Sequence, residues 1–168
     1  MIRPLSLDDV PALVDLQRRN RDHLRPWEPS RDDTWFTTDG QRIAVEQALR
    51  DRDLGLAVPF AIVADGELVG RINLSRITRG AFCSGGVGYW VDHDHWGRGV
   101  ATAALAEVAA EAFGPLGLHR LEASTLLHNT ASQRVLAANG FERIGLAPSY
   151  LRIDGRWQDH LLFQRIAD

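Results

Sequence analysis

The chain has no lysine: all 19 of its basic residues are arginine. Without a lysine amine there is no Schiff base and no P-loop cation, so both chemistries are excluded. Cysteine occurs once, at Cys83. That excludes an internal disulfide and suits a reducing, cytoplasmic setting. No apolar run is long enough to span a membrane. The start, Met1-Ile2-Arg3-Pro4, lacks the apolar stretch of a signal peptide. Neither repeats nor low-complexity tracts occur, and the 168 residues fit one domain over 1–168. The formal net charge is −3, so attraction of the whole molecule to nucleic acid is not expected.

What is present reads as alternating elements. Residues 2–5 form a short strand. Ser6-Leu7-Asp8-Asp9 reads as a capping box, with Val10, Leu13, Val14 and Gln17 following at helical spacing. Residues 20–33 are polar and irregular, and Asp39 caps a second helix running to about Arg50. Phe60–Ala64 meets Leu68–Leu74 across Asp65-Gly66, a hairpin signal of type I′. A strand over Gly85–Val91, a helix over Val100–Phe113 and a strand over Leu118–Thr125 follow. A helix then starts near Thr130 and stops at Asn139-Gly140, before a strand over Phe141–Leu146. Tyr150–Ile153 and Trp157–Phe163 flank a second Asp-Gly turn at Asp154-Gly155. The order β-α-α-β-β-β-α-β-α-β-β predicts an α/β (α+β) fold: a mixed sheet of about seven strands with helices on both faces.

Three places carry chemistry. The turn Gly97-Arg98-Gly99 lies between a strand and an alanine-rich helix. Glycines let backbone approach a ligand, and a helix start offers free N–H groups and a positive dipole end. Together they predict a seat for a phosphate-bearing cofactor. The motif is neither a P-loop nor a dinucleotide fingerprint, since GK[ST] is absent and Thr102 stands where a third glycine would fall. Asn129-Thr130-Ala131-Ser132 reads first as a helix cap with Ser132 in the first turn. Glu122, between Leu121 and Ala123, is either paired with an arginine, Arg120 sharing its face, or held in a groove as a titratable acid. His93-x-His95 has metal-like spacing without a third ligand, so no metal is expected.

Taken together, Gly97-Arg98-Gly99-Val100-Ala101-Thr102, Arg120-Leu121-Glu122-Ala123, Asn129-x-x-Ser132 and Asn139-Gly140-Phe141 resemble the GNAT superfamily of N-acetyltransferases over nearly the whole chain. They are most similar to its RimJ/RimL group, which acetylates ribosomal-protein N-termini. Residues 20–29 resemble that group's acceptor-side segment, and residues 150–160 its C-terminal hairpin. Two positions depart from the superfamily pattern: Asp94 where glutamine or arginine is usual, and Leu136 where many relatives have an acidic tyrosine. The latter moves the proton-donor role to Ser132.

The resemblance implies a GNAT fold whose sheet splays, with acetyl-CoA as co-substrate in the gap. Its pantetheine would run beside Trp90 and Val91, with an oxyanion hole at a backbone N–H near Val91. The diphosphate would sit on Gly97, Arg98, Gly99, Val100, Ala101 and Thr102, and Asn129 and Ser132 would complete the cofactor site. Catalysis would fall to Glu122 as base toward the acceptor amine and to Ser132 as donor toward the departing CoA sulfur. The acceptor that the resemblance implies is a protein or peptide N-terminal amine. A small-molecule amine (antibiotic or polyamine) acceptor, or a catalytically inactive CoA-binding sensor, stays open. Trp27 and residues 20–35 either wall the acceptor site or meet a second copy of the chain in a homodimer.

Overall fold

A computed structural model describes residues 1–167. One seven-stranded sheet runs in the order β1-β2-β3-β4-β5-β7-β6. Its strands are β1 (Ile2–Pro4), β2 (Val58–Ala64), β3 (Glu67–Thr78), β4 (Ser84–Val91), β5 (Arg120–Leu126), β6 (Glu142–Ile153) and β7 (Arg156–Ile166). The helices are α1 (Val10–Leu24), α2 (Thr38–Asp53), α3 (Val100–Phe113) and α4 (Thr130–Ala138). All neighbouring strands are antiparallel except β4 and β5. That parallel pair is joined by α3, as a parallel crossover requires. No helix is long and apolar enough to cross a membrane.

Both Asp-Gly turns are built alike. Asp65 and Gly66 have φ of 52° and 85°, and Asp154 and Gly155 have 46° and 75°. Two successive positive φ angles are the type I′ geometry that matches strand twist. The helices lie on both faces, as expected. The larger apolar core joins α3 and α4 to the sheet through Leu105, Val108, Leu121 and Leu136, all fully buried. Each such side chain contributes about 1.5–3 kcal/mol by leaving water. A second core of Leu5, Leu13, Val14 and Val45 joins α1 and α2 to Ala61 on the other face.

Strand ends shift by a few residues (β3, for one, runs on to Thr78 rather than stopping at Leu74), and three larger differences from the sequence reading bear on the site and its frame. First, α1 does not yield to an irregular segment at Asn20 but continues to Leu24. Asn20 is fully buried; its amide donates to the Leu16 carbonyl (2.9 Å) and to Asp92 (2.8 Å), 72 residues away. Second, α2 is capped by Thr37, whose hydroxyl accepts from Gly40 N–H at 3.1 Å, rather than by Asp39. Third, β6 is one strand with an irregularity between Ala147 and Leu151, where the sequence reading ends a strand at Leu146 and starts another at Tyr150.

Candidate active site

β4 and β5 pair only at Ser84–Arg120, Gly85–Leu121 and Gly86–Glu122. Past Gly86 both strands continue, β4 to Val91 and β5 to Leu126, with no mutual pairing: the sheet forks there. Asp92 N–H reaches across to Val69 C=O at 2.7 Å. Alternation along an antiparallel strand then turns the N–H groups of Val91 and Tyr89 toward the gap. The Val91 carbonyl is taken up by Trp96 Nε1–H at 2.8 Å. On β5 the hydroxyl of Thr125 is buried without a partner among the described residues. Polar groups left unpaired in this way are costly unless a ligand supplies their bonds. An extended molecule bearing amides fits that requirement.

At the far end of β4 lies the glycine turn. Gly97 (φ 72°) and Gly99 (φ 77°) are both left-handed, and a Cβ on either would point into open space. The geometry, rather than crowding, is what selects glycine here. Gly99 caps α3, and the first helical bond is Ala103 N–H to Gly99 C=O, 2.9 Å. The N–H groups of Val100, Ala101 and Thr102 therefore have no helical acceptor and point outward at the positive end of the helix. Arg98 is exposed beside them. Free N–H groups at a helix start are of the kind that can receive a phosphate group.

Across the gap, Asn129 Oδ1 accepts from Ser132 N–H at 3.1 Å and so caps α4. Its oxygen is thus committed to the helix. Gln133, the next residue, donates its amide to the Leu126 and Leu127 carbonyls. The half-buried Ser132 places its Oγ 2.9 Å from the Tyr89 hydroxyl, with either group able to donate, and the Ser132 carbonyl, 3.3 Å away, is a second acceptor for the single phenol proton. Burial pushes the Tyr89 phenol up to about 12, against a smaller opposing pull from its bond to Ser132. It keeps its proton at neutral pH. Leu136, where relatives carry a tyrosine, packs in the core. Here a phenol reaches the α4 start from β4 instead. Sequence reasoning did not assign Tyr89 a role; its signal was the strand alternation, which puts Tyr89 on the α3/α4 side and Trp90 on the other.

The opposite sheet face carries Glu122. It is half-buried and takes part in no ion pair among the described residues, while Arg120 on the same face donates to Gln164 Oε1. The register Arg71–Trp90, Asn73–Gly88 and Gly86–Glu122 places all these residues on one face. Gly88, in a central strand, is nevertheless exposed, and a Cβ there would meet nothing within 4 Å. A groove thus opens over Gly88 between β3 and the fork. The segment after α1 closes its far side. It is tied to the β6–β7 turn by Arg25–Asp154 (3.1 Å) and by Asp154 N–H to Glu28 C=O (3.1 Å), and Trp27 lies 5.3 Å from the His128 ring. Burial raises the Glu28 carboxyl above its usual range, Arg31 partly opposing.

Between these two ends sits Asp92, fully buried. Burial alone would raise its carboxyl. Hydrogen bonds from Arg19 and Asn20, with the charge of Arg19, hold it below the usual range. His93 and His95 also turn toward it, with Nδ1 at 3.5 and 3.3 Å. Asp92, His93 and Asp94 are close enough to share a cation, but the Asp92 oxygens are already engaged by this network. The carboxylate ties α1 to the end of β4, beside the glycine turn.

The chain matches the family model of the acetyltransferase (GNAT) domain over residues 1–142. It is 35% identical to the probable N-acetyltransferase YjcK of Bacillus subtilis, covering 95% of this chain and 89% of that one. It is 33% identical to the ribosomal protein uS5-alanine N-acetyltransferase of Escherichia coli, covering 96% and 84%. Mycobacterium smegmatis RimJ, solved in complex with a CoA disulfide, superimposes with a TM-score of 0.96 at 37% identity, over 99% of this chain and 81% of that one. A forked sheet, a glycine cradle opening α3 and a serine at the start of α4 thus come with a family: the chain belongs to the GNAT acetyltransferases, enzymes that transfer an acyl group.

Proposed function

We propose that the enzyme transfers the acetyl group of acetyl-CoA directly to the N-terminal α-amine of a protein or peptide. The observation that carries this is the fork at Gly86–Glu122, which leaves a donor hydroxyl on one sheet face and a free carboxylate on the other. The names of the relatives, among them a ribosomal-protein alanine N-acetyltransferase, favour a protein N-terminus as acceptor.

Acetyl-CoA supplies a thioester carbonyl already activated for acyl transfer, so no covalent enzyme intermediate is needed. The cradle from Gly97 to Thr102, with Arg98, holds the diphosphate. Tyr89 and Val91, whose N–H groups turn to the gap, offer backbone to the pantetheine; Trp90, expected there, instead spends its N–H and C=O on Arg71 of β3. The Val91 N–H would face the carbonyl oxygen as an oxyanion donor. Asn129 acts by fixing the start of α4, and thereby Ser132. When Tyr89 donates to Ser132 Oγ, the Ser132 proton is left free to face the sulfur that departs. Glu122 takes the amine proton, directly or through water. An α-amine, with pKa about 7.7–8.0, needs only a weak base; a lysine at about 10.4 would cost roughly 3–4 kcal/mol more to deprotonate.

The test is thiol release from acetyl-CoA with alanine- and serine-started peptides beside aminoglycosides and polyamines, with the product mass located on the peptide. Acetylation confined to the peptide α-amine is expected. Turnover on the small amines alone, or none on any amine, would overturn the reading.

A further inference from the structure

Arg71 is the buried cation that the mechanism above does not use. Its side chain is only 8% exposed. Among the described residues its Nε has no hydrogen-bond partner and it joins no ion pair; its one side-chain hydrogen bond is a long donation to Asn73 Oδ1, 3.4 Å. Burying an unpaired guanidinium is expensive, and proteins rarely tolerate it without a partner. A second arginine, Arg31, stacks on Trp35 (3.8 Å from the ring centre) and lies close enough to act on Arg71. Burial, with Arg31 adding and Asp9 opposing, pushes the Arg71 guanidinium down to about 10, so it stays charged at neutral pH.

The placement says what would satisfy it. Arg71 pairs with Trp90, and Asn73 with the open Gly88, so Arg71 lies in the wall of the groove and its terminal nitrogen leans toward the fork. Glu122 is level with Gly86, four residues back along β4 from Trp90. That is about 13 Å along the strand and about 10 Å across two strand spacings. An extended peptide advances about 3.3 Å per residue. With its amine at the fork, a peptide would pass Arg71 within its first five residues.

We propose that Arg71 is a socket for a carboxylate on the acceptor, an Asp or Glu side chain within the first five residues of the peptide. The proposal rests on the N-terminal amine reading and narrows it to acidic N-terminal sequences. A guanidinium fork matches a carboxylate bidentately, and an unmodified polypeptide offers no other oxyanion side chain. Asn73 would donate alongside, and Arg31 would add charge.

The experiment uses the full chain with alanine-started peptides that differ only in Glu, Gln or phosphoserine at each of positions two to five. For one position the wild type should favour Glu over Gln about tenfold or more in kcat/KM, mainly through KM. Arg71→Met should bring that ratio to about one while acetyl-CoA affinity holds. Its ligand-free melting temperature should stay level or rise, because an orphaned charge is gone. A Glu/Gln ratio near one in the wild type, or one unchanged in Arg71→Met, would overturn the socket while leaving the N-terminal reading intact. So would a melting temperature lowered by several degrees, which marks a structural strut. A preference for phosphoserine over Glu overturns the carboxylate assignment in favour of a phosphate. Absence of acetyl transfer to every peptide would overturn both.

Discussion

At the fork, the two faces of one sheet are built by different means. On the α3/α4 face the polar groups come mainly from two short local segments, with Tyr89 of β4 added. Gly97 to Thr102 opens α3, Asn129 to Ser132 opens α4, and both use free or capped backbone at a helix start. On the α1/α2 face, Arg71, Asn73, Gly88 and Glu122 come from three strands and meet only through register. The segment at 25–36 that covers them is held by the distant β6–β7 turn. A co-substrate shared by a whole family can be met by a contiguous motif. An acceptor that varies is met by scattered side chains that can change singly without disturbing a turn or a cap.

The division is broken most severely by Ser132→Ala. A donor to the leaving sulfur is worth on the order of 100-fold, so kcat should fall by about that factor. Calorimetry with acetyl-CoA should return a Kd within about twofold of wild type, because Asn129 still caps α4 and the cradle on α3 is untouched. Unchanged turnover would remove Ser132 from the chemistry.

On the other face, Glu122→Gln should cost less. At neutral pH about a tenth of an α-amine with pKa near 8 is already neutral, so a base is worth roughly tenfold there. The loss should appear in kcat/KM with acetyl-CoA affinity intact, and it should shrink as the pH rises past the amine pKa near 8, where free amine no longer needs a base. An unchanged kcat/KM would make Glu122 structural. The same variant tested with a lysine-side-chain acceptor should show no measurable turnover, which sharpens the contrast between amines.

How far each face could be foreseen follows from the same difference. The order of elements through α4, both Asp-Gly hairpin turns and the glycine turn before α3 were legible, because periodicity, Asp-Gly pairs and glycine before an apolar helix act over a few residues. Asn20 looked like a helix end since a polar residue in a polar stretch gives no local sign of burial. Its partner, Asp92, is 72 residues away. Glu122 was singled out, but whether Arg120 paired with it depended on Gln164 in β7. Arg71 and Gly88 were invisible: nothing in Gly70-Arg71-Ile72 or Val87-Gly88-Tyr89 says which residue of β3 will stand opposite which of β4.

Tyr89 is where the two faces are decided by one strand. Its neighbours Gly88 and Trp90 turn to the α1/α2 face, while its own hydroxyl meets Ser132. Tyr89→Phe removes one hydrogen bond, worth about 1 kcal/mol, or roughly fivefold. That loss should appear in kcat and leave the acceptor KM alone, since the ring still packs against the α3 side. The sign with pH is also set. A phenol raised to about 12 holds its proton well above neutrality, so wild-type activity should show no decline from Tyr89 between pH 7 and about 10, and the Phe variant should run parallel to it. A wild-type decline in that range that the Phe variant lacks would show Tyr89 ionising there. Its hydroxyl would then act as a proton donor in its own right, not as a positioning group for Ser132.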